Sequence, residues 1–215
     1  KFGRVVMVLS PWNNPIPFTR AWCLWEIYCA VKTESKFEVA ITPDQYTAFV
    51  EGITNNQAEF YQMLANINVE KSEAWSATDK ERIFDAVKSS VGFVELNTMV
   101  IGKMREWVIT AIDESIVEEN VSQLEVWDRQ LAKMSLLRDT GNFDDALEIG
   151  LKCLKYFDGV DADMKLSKTY NNLGAVYYSQ GDYSKAIEYY EKSLAIKLKT
   201  LGAEHPNVAT SYNNL

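Results

Sequence analysis

The residues best suited to chemistry lie in one predicted helix near the N-terminus. Glu26 belongs to the run Trp22-Cys23-Leu24-Trp25-Glu26-Ile27, and on a helix it shares a face with Trp22 and Cys29. A carboxylate in such a place can stabilise positive charge that develops in a transition state. The alternative is structural, because aromatic residues at helical spacing are typical of a core and a single Glu is usually solvated. Both interpretations stay open from the residues alone.

The chain contains few residues that are suited to other kinds of catalysis. The 215-residue chain has one histidine, His205, which excludes zinc sites built on several histidines and most Ser-His or Cys-His catalysis. Its place beside Pro206 predicts a helix start, not a ligand. Cys23, Cys29 and Cys153 are an odd number without metal-like spacing, so we expect no metal, no disulfide framework and a cytoplasmic location.

Charge and hydropathy narrow the classes of partner. The formal net charge of −8 argues against nucleic acid, because neutralising phosphates takes clustered Lys and Arg. No apolar run approaches the roughly 18 residues that a membrane-spanning helix needs. We therefore expect neither a nucleic acid nor a membrane as partner.

Elements of alternating type surround Glu26. The Val-rich run from Arg4 to Leu9 is typical of a buried parallel strand, and Phe37 to Ile41 predicts a second strand. A helix is predicted between them, from Arg20 to Lys32, so the order strand-helix-strand predicts a βαβ crossover. Two strands are too few for a closed α/β domain, so we expect more strands upstream of Lys1 and a chain that is part of a longer protein. Further helices are predicted at 43–52, 57–67, 79–90 and 93–117.

The front part of the chain resembles the middle of Toll/interleukin-1-receptor (TIR) type domains. The resemblance rests on Ser10-Pro11-Trp12 after the strand and on Trp22-Cys23-Leu24-Trp25-Glu26 in the next helix. The family's motif reads Trp-Cys-Leu-x-Glu-Leu, with Ile27 in place of the last Leu here. The resemblance implies a TIR-like α/β segment over residues 1–118, with an incomplete parallel sheet and added helices, that signals or self-associates.

The same resemblance implies an alternative function. In enzymatic TIR domains the motif's glutamate is essential for cleaving NAD at the nicotinamide bond, and it falls on Glu26 here. Under this alternative NAD is a substrate and Glu26 is catalytic, while the preferred interpretation needs no cofactor. We expect the chain alone to be inactive, because half of the pocket would come from upstream strands.

An internal repeat occupies the C-terminal part of the chain. The run Thr-Tyr-Asn-Asn-Leu at residues 169–173 returns as Ser-Tyr-Asn-Asn-Leu at residues 211–215, an offset of 42 residues. Repetition at a fixed period of this size is typical of helical repeat proteins. Between the copies, aromatic and small residues recur at the spacing of a helix hairpin: Tyr170, Leu173, Gly174, Tyr177, Gly181, Tyr183, Ala186 and Tyr190.

Two small residues explain this spacing. Gly174 and Ala186 let two antiparallel helices approach closely, while large residues such as Tyr183 fill the space around the contact. We therefore predict a hairpin of one helix over residues 167–180 and a second over residues 183–198. The repeat region is predicted to span residues 122–215, with a degenerate repeat at 122–160, a full repeat at 167–208 and a truncated one from 209.

This pattern resembles the tetratricopeptide repeat (TPR), and its long second helix with Gly202 and His205-Pro206 resembles the repeats of kinesin light chains. The resemblance implies an α-solenoid whose first helices line a concave face that binds a peptide or protein. Carried onto this chain, the family's pattern implies that this face bears Asn171, Asn172, Ala175, Tyr178, Asn213 and Asn214.

The sequence thus predicts a mostly α-helical protein: a partial, TIR-like α/β segment followed by TPR hairpins. The predicted function is that of a scaffold which binds a peptide or protein through its TPR groove. Asparagine can both donate and accept hydrogen bonds, so it can fix a peptide backbone or a terminal carboxylate. The alternative for the four asparagines is that they only tolerate their helical positions.

Overall fold

The computed structural model describes residues 3–156 and 163–215, and the chain divides into two units, residues 1–111 and 112–215. In the described residues, the elements in chain order are β1 (Arg4–Val8), α1 (Ala21–Lys32), β2 (Lys36–Ala40), α2 (Pro43–Asn55), α3 (Gln57–Ala65), α4 (Ala77–Ser90), α5 (Phe93–Ile116), α6 (Gln123–Asp139), α7 (Phe143–Tyr156), α8 (Asp163–Gln180), α9 (Tyr183–Leu201) and α10 (Pro206–Asn213). The division between the units falls inside α5. The protein is therefore mostly α-helical, as predicted.

The first unit contains the predicted βαβ crossover. Strands β1 and β2 pair in parallel, with Val6 opposite Glu38, and α1 connects them. The prediction that the first strand is buried was wrong for one of its faces. Val6 and Val8 are 47% and 57% exposed, while Met7 and Leu9 are buried. Successive side chains of a strand point to opposite faces, so an apolar run by itself does not show that both faces are covered.

An aromatic cluster forms part of the core of the first unit. The Phe49 ring of α2 is fully buried, and its centroid lies 5.5 Å from that of Trp12 and 4.8 Å from that of Trp107 on α5. Gly52 lies so close to Trp12 that a Cβ there would be 2.5 Å from the ring. The predicted helices of this region exist, with ends shifted by a few residues; α4 begins at Ala77 because Ser76 caps it.

The second unit contains the predicted hairpin. Helices α8 and α9 pack against each other, and a Cβ on Gly174 would lie 2.7 Å from the Tyr190 ring. The turn lies at Gly181, with a φ of +82°, and Asp182 then caps α9. Two details differ from the prediction: α8 begins four residues earlier, at Asp163, and α9 continues to Leu201.

The position of the Tyr183 side chain also differs from the prediction. Its side chain is 60% exposed and does not fill the space beside Gly174. The ring packs edge-on against Tyr178, with centroids 5.4 Å apart. The first residue of a helix lies at the end of the hairpin, where one side of the ring meets water.

The helix pair that precedes this hairpin is α6 and α7. Ser122 and Glu125 form a capping box at the start of α6. Trp127 is fully buried, and its Nε1 donates a hydrogen bond of 2.8 Å to Thr169 Oγ1 on α8. The degenerate repeat therefore has its predicted two helices, while positions 157–160 of its predicted span lie outside the described residues.

Candidate functional site

Two of the predicted binding residues meet at the first helices of successive repeats. Asn171 lies on α8, and Asn214 follows α10 directly. The Asn214 side-chain amide donates a hydrogen bond of 3.0 Å to Asn171 Oδ1. This leaves the amide N–H groups of Asn171 as donors for a ligand.

A cavity of about 360 Å³ opens beside Asn171. Its walls come from α8, the end of α9 and α10, so it lies within the second unit. Apart from Asn171, its lining residues are Met164, Lys165, Lys168, Lys197, Asn207 and Thr210. Three lysines in one small cavity of a chain with net charge −8 favour an anionic group as its occupant.

The three lysines differ in their partners. Lys165 forms an ion pair with Asp128 and also donates to the Leu124 carbonyl. Lys197 Nζ donates to Ser211 Oγ at 2.7 Å, and burial lowers the pKa of this amine. Lys168 is exposed and has no carboxylate within ion-pair distance in the described part of the chain. A carboxylate in this cavity would therefore be attracted by Lys168 and would offset the desolvation of Lys197.

The other predicted residues are not among those that line this cavity. Ala175 and Tyr178 follow Asn171 on one face of α8, one and two turns on. Tyr178 is 59% exposed, which leaves most of its ring open to a ligand. Asn172 is half-buried on α8, and Asn213 is exposed at the end of α10.

The prediction from sequence did not include Lys165, Lys168, Lys197 or Asn207 as site residues. Lys168 could have been found, because it precedes Asn171 by three residues and must share its helix face. Lys197 could not, because it comes from the second helix of the hairpin and reaches the cavity only at the end of α9.

Glu26 lies in a separate cavity of the first unit, of about 510 Å³. Trp22, Trp25 and Cys29 line it together with Glu26, and β1 forms its other wall. Trp22 is 56% exposed, so this ring is not a core residue. Burial first, and the Glu26 carboxylate second, raise the pKa of the Cys29 thiol. The same two causes, in the same order, raise the pKa of Cys23.

Within residues 3–156 and 163–215, no helix combines the length and the apolar composition that crossing a bilayer requires.

Comparison with known proteins gives a family match in the second unit of the chain. A curated relative, Protein O-mannosyl-transferase Tmtc3 of Drosophila melanogaster, is 32% identical over 60 residues. The match covers 28% of this chain and 6% of the length of that protein. No solved structure matches. A family model described as tetratricopeptide repeat matches residues 134–199 and 165–215. The C-terminal part of the chain, from residue 134 to residue 215, therefore consists of tetratricopeptide repeats.

Proposed function

We propose that the TPR region is a scaffold that binds a peptide or protein, with a carboxylate of the partner in the cavity beside Asn171. Tetratricopeptide repeats indicate protein–protein interaction. The observation that carries the finer proposal is the convergence of three lysine side chains and two asparagines on one cavity between α8 and α10. Ammonium and amide N–H groups are the donors that a carboxylate needs. A repeat type like that of kinesin light chains is part of the same proposal, supported by the length of α9.

Neutralising the cavity tests this proposal. The probe is a peptide Ala-Ala-Leu-Asp-Asp with a free C-terminal carboxylate, compared with the same peptide amidated. We expect the free acid to bind more tightly than the amide. Lys168→Ala or Asn171→Ala should weaken binding of the free acid by about tenfold or more, as for a lost charge-assisted hydrogen bond of about 1.5–3 kcal/mol. Calorimetric titration measures both.

The matched control for this test is Lys71→Ala, which removes an exposed lysine from the first unit. Its binding should equal that of the parent chain. Equal affinity of the acid and amide peptides, or unchanged binding by Lys168→Ala, would show that the cavity does not hold a carboxylate.

For the first unit we propose a TIR-like segment that signals or self-associates, with NAD cleavage as a second candidate function. The βαβ crossover and the cavity that Glu26 lines together with two tryptophans support it. In the NAD reaction the Glu26 carboxylate would stabilise positive charge that develops on the ribose as nicotinamide leaves.

Nicotinamide release from NAD⁺ tests the second candidate. In the full-length protein that contains residues 1–215, we expect Glu26→Gln to lower the rate at least 100-fold, because the substitution removes the negative charge and keeps the shape. Glu51→Gln, at an exposed position of α2, should leave the rate unchanged. Absence of release by the parent protein at high concentration would remove the enzymatic function.

A further inference from the structure

A second cavity of the second unit shares no lining residue with the cavity beside Asn171. It has a volume of about 680 Å³ and opens between α6 and α7. Apolar and aliphatic surface forms most of its wall, from Val126, Gln130, Lys133, Ile149, Lys152, Cys153, Lys155 and Tyr156. We call it the α6–α7 cleft.

The next helix pair shows which side chains stand at the equivalent positions. Gly141 and Gly181 mark equivalent turns, 40 residues apart, so Gln130 corresponds to Tyr170 and Ile149 to Tyr189. In the α8–α9 pair these tyrosine rings lie 6.1 Å apart. In the α6–α7 pair smaller side chains stand at both positions, so space that two rings occupy in the second pair is open in the first.

The lysine that caps the ring is nevertheless present in both pairs. Lys192 Nζ lies 4.9 Å from the centroid of Tyr189 while it also pairs with Glu188. Lys152 is the equivalent of Lys192 by the same offset, and it pairs with Glu148 in the same way. A cation over an aromatic face is attracted by the negative potential of the ring. Lys152 thus stands where Lys192 stands in the next pair, while Ile149 replaces the tyrosine ring that Lys192 covers.

The rim of the cleft adds positive charge. Lys133 forms an ion pair with Asp113, whereas Lys155 is exposed and has no ion pair with any described carboxylate. Lys152 and Lys155 both stand on α7 at the mouth of the cleft. The side chain that enters the cleft should therefore be flanked by acidic residues.

We propose that the α6–α7 cleft binds the aromatic side chain of an acidic peptide segment of a partner protein. The ring takes the space that Tyr170 and Tyr189 occupy in the next pair, and Lys152 lies over its face. Carboxylates beside the ring in the peptide contact Lys155. This site needs no free C-terminus, which separates it from the cavity beside Asn171.

A capped peptide isolates this site from the groove. The probe is acetyl-Asp-Asp-Phe-Glu-Glu-amide, with 4-fluorophenylalanine as its ring, and its fluorine NMR line width reports binding to the full chain. The unlabelled phenylalanine peptide should compete, whereas peptides with alanine or cyclohexylalanine at the ring position should compete at least tenfold less well. The cyclohexyl ring keeps the size and loses the aromatic face.

Substitutions copied from the second pair close the cleft. We expect Gln130→Tyr with Ile149→Tyr to weaken binding of the probe at least tenfold, and Lys152→Gln to weaken it severalfold. Lys192→Gln is the matched control, because Tyr189 already occupies the space beside it, and Asn171→Ala is the control for the groove. Both should bind the probe as the parent chain does. Lys155→Glu reverses a charge at an exposed position and leaves the buried residues unchanged, and it should also weaken binding of the probe.

Several results would overturn the proposal. Unchanged binding by the doubly substituted chain with native far-UV circular dichroism would place the probe elsewhere. If that variant fails to fold, unchanged binding by both Lys152→Gln and Lys155→Glu has the same meaning. Equal competition by the alanine peptide would show that charge alone holds the probe. A chain that dimerises, and loses its dimer when the cleft is filled, would make a second copy the occupant in place of an acidic peptide.

Discussion

Replacing Trp127 with alanine is expected to lower the free energy of unfolding of the second unit by about 4 kcal/mol. The Trp127 side chain is fully buried, so its removal loses a large apolar area and leaves a cavity between α6 and α8. The substitution also removes the hydrogen bond from Nε1 to Thr169 Oγ1. Urea unfolding followed by far-UV circular dichroism measures the change.

The chain contains a matched control for this experiment. Trp75 is 90% exposed, so Trp75→Ala deletes the same side chain from a place where it is already in water. We expect the control to change the free energy of unfolding by less than about 0.5 kcal/mol. Equal effects of the two substitutions would contradict the burial of Trp127 and the packing of α6 against α8.

The second large effect is expected at Gly174. Glycine to alanine in a helix normally stabilises by about 0.5–1 kcal/mol, because alanine loses less conformational freedom on folding. At Gly174 the new methyl group would lie 2.7 Å from the Tyr190 ring, and overpacking of this kind costs about 1–3 kcal/mol. The clash exceeds the gain in propensity, so we expect Gly174→Ala to lower the free energy of unfolding by about 1 kcal/mol in urea unfolding.

Gly102 is the control position, where the same substitution should raise the free energy of unfolding. It lies within α5, and a Cβ there would have no atom of another residue within 4 Å, apart from its own helical backbone and chain neighbours. Gly102→Ala should therefore stabilise by about 0.5–1 kcal/mol. Stabilisation by Gly174→Ala as well would mean that α8 and α9 are not in close contact at this residue.

The local sequence carried enough information to predict the repeats. A helix hairpin of this kind depends on contacts within about 40 residues, and its turn and cap are set by Gly181 and Asp182. The same is true of the helix start at His205 and Pro206, where His205 Nδ1 accepts a hydrogen bond from the Asn207 N–H. Their physical cause lies in neighbouring residues, so their signals survive in a single sequence.

Burial was harder to predict, because it depends on what packs against an element. Val6 and Val8 have the composition of a buried strand, yet they are half exposed. Tyr183 stands at a position where the preceding repeat also has an aromatic residue, Phe143, and is still largely in water. Neither outcome follows from the residue itself, since the missing information is the presence or absence of a neighbour.

The sequence by itself determined that the chain is mostly helical, that a βαβ crossover precedes the repeats, and where the hairpin turns. Only the tertiary structure decided which polar residues converge. Lys197 joins Asn171 at one cavity because the length of α9 brings its end back beside α8. Likewise, the α6–α7 cleft lies between two helices that carry smaller side chains than the next pair at two equivalent positions. Distances between helices far apart in sequence come from packing, and packing is a property of the folded chain.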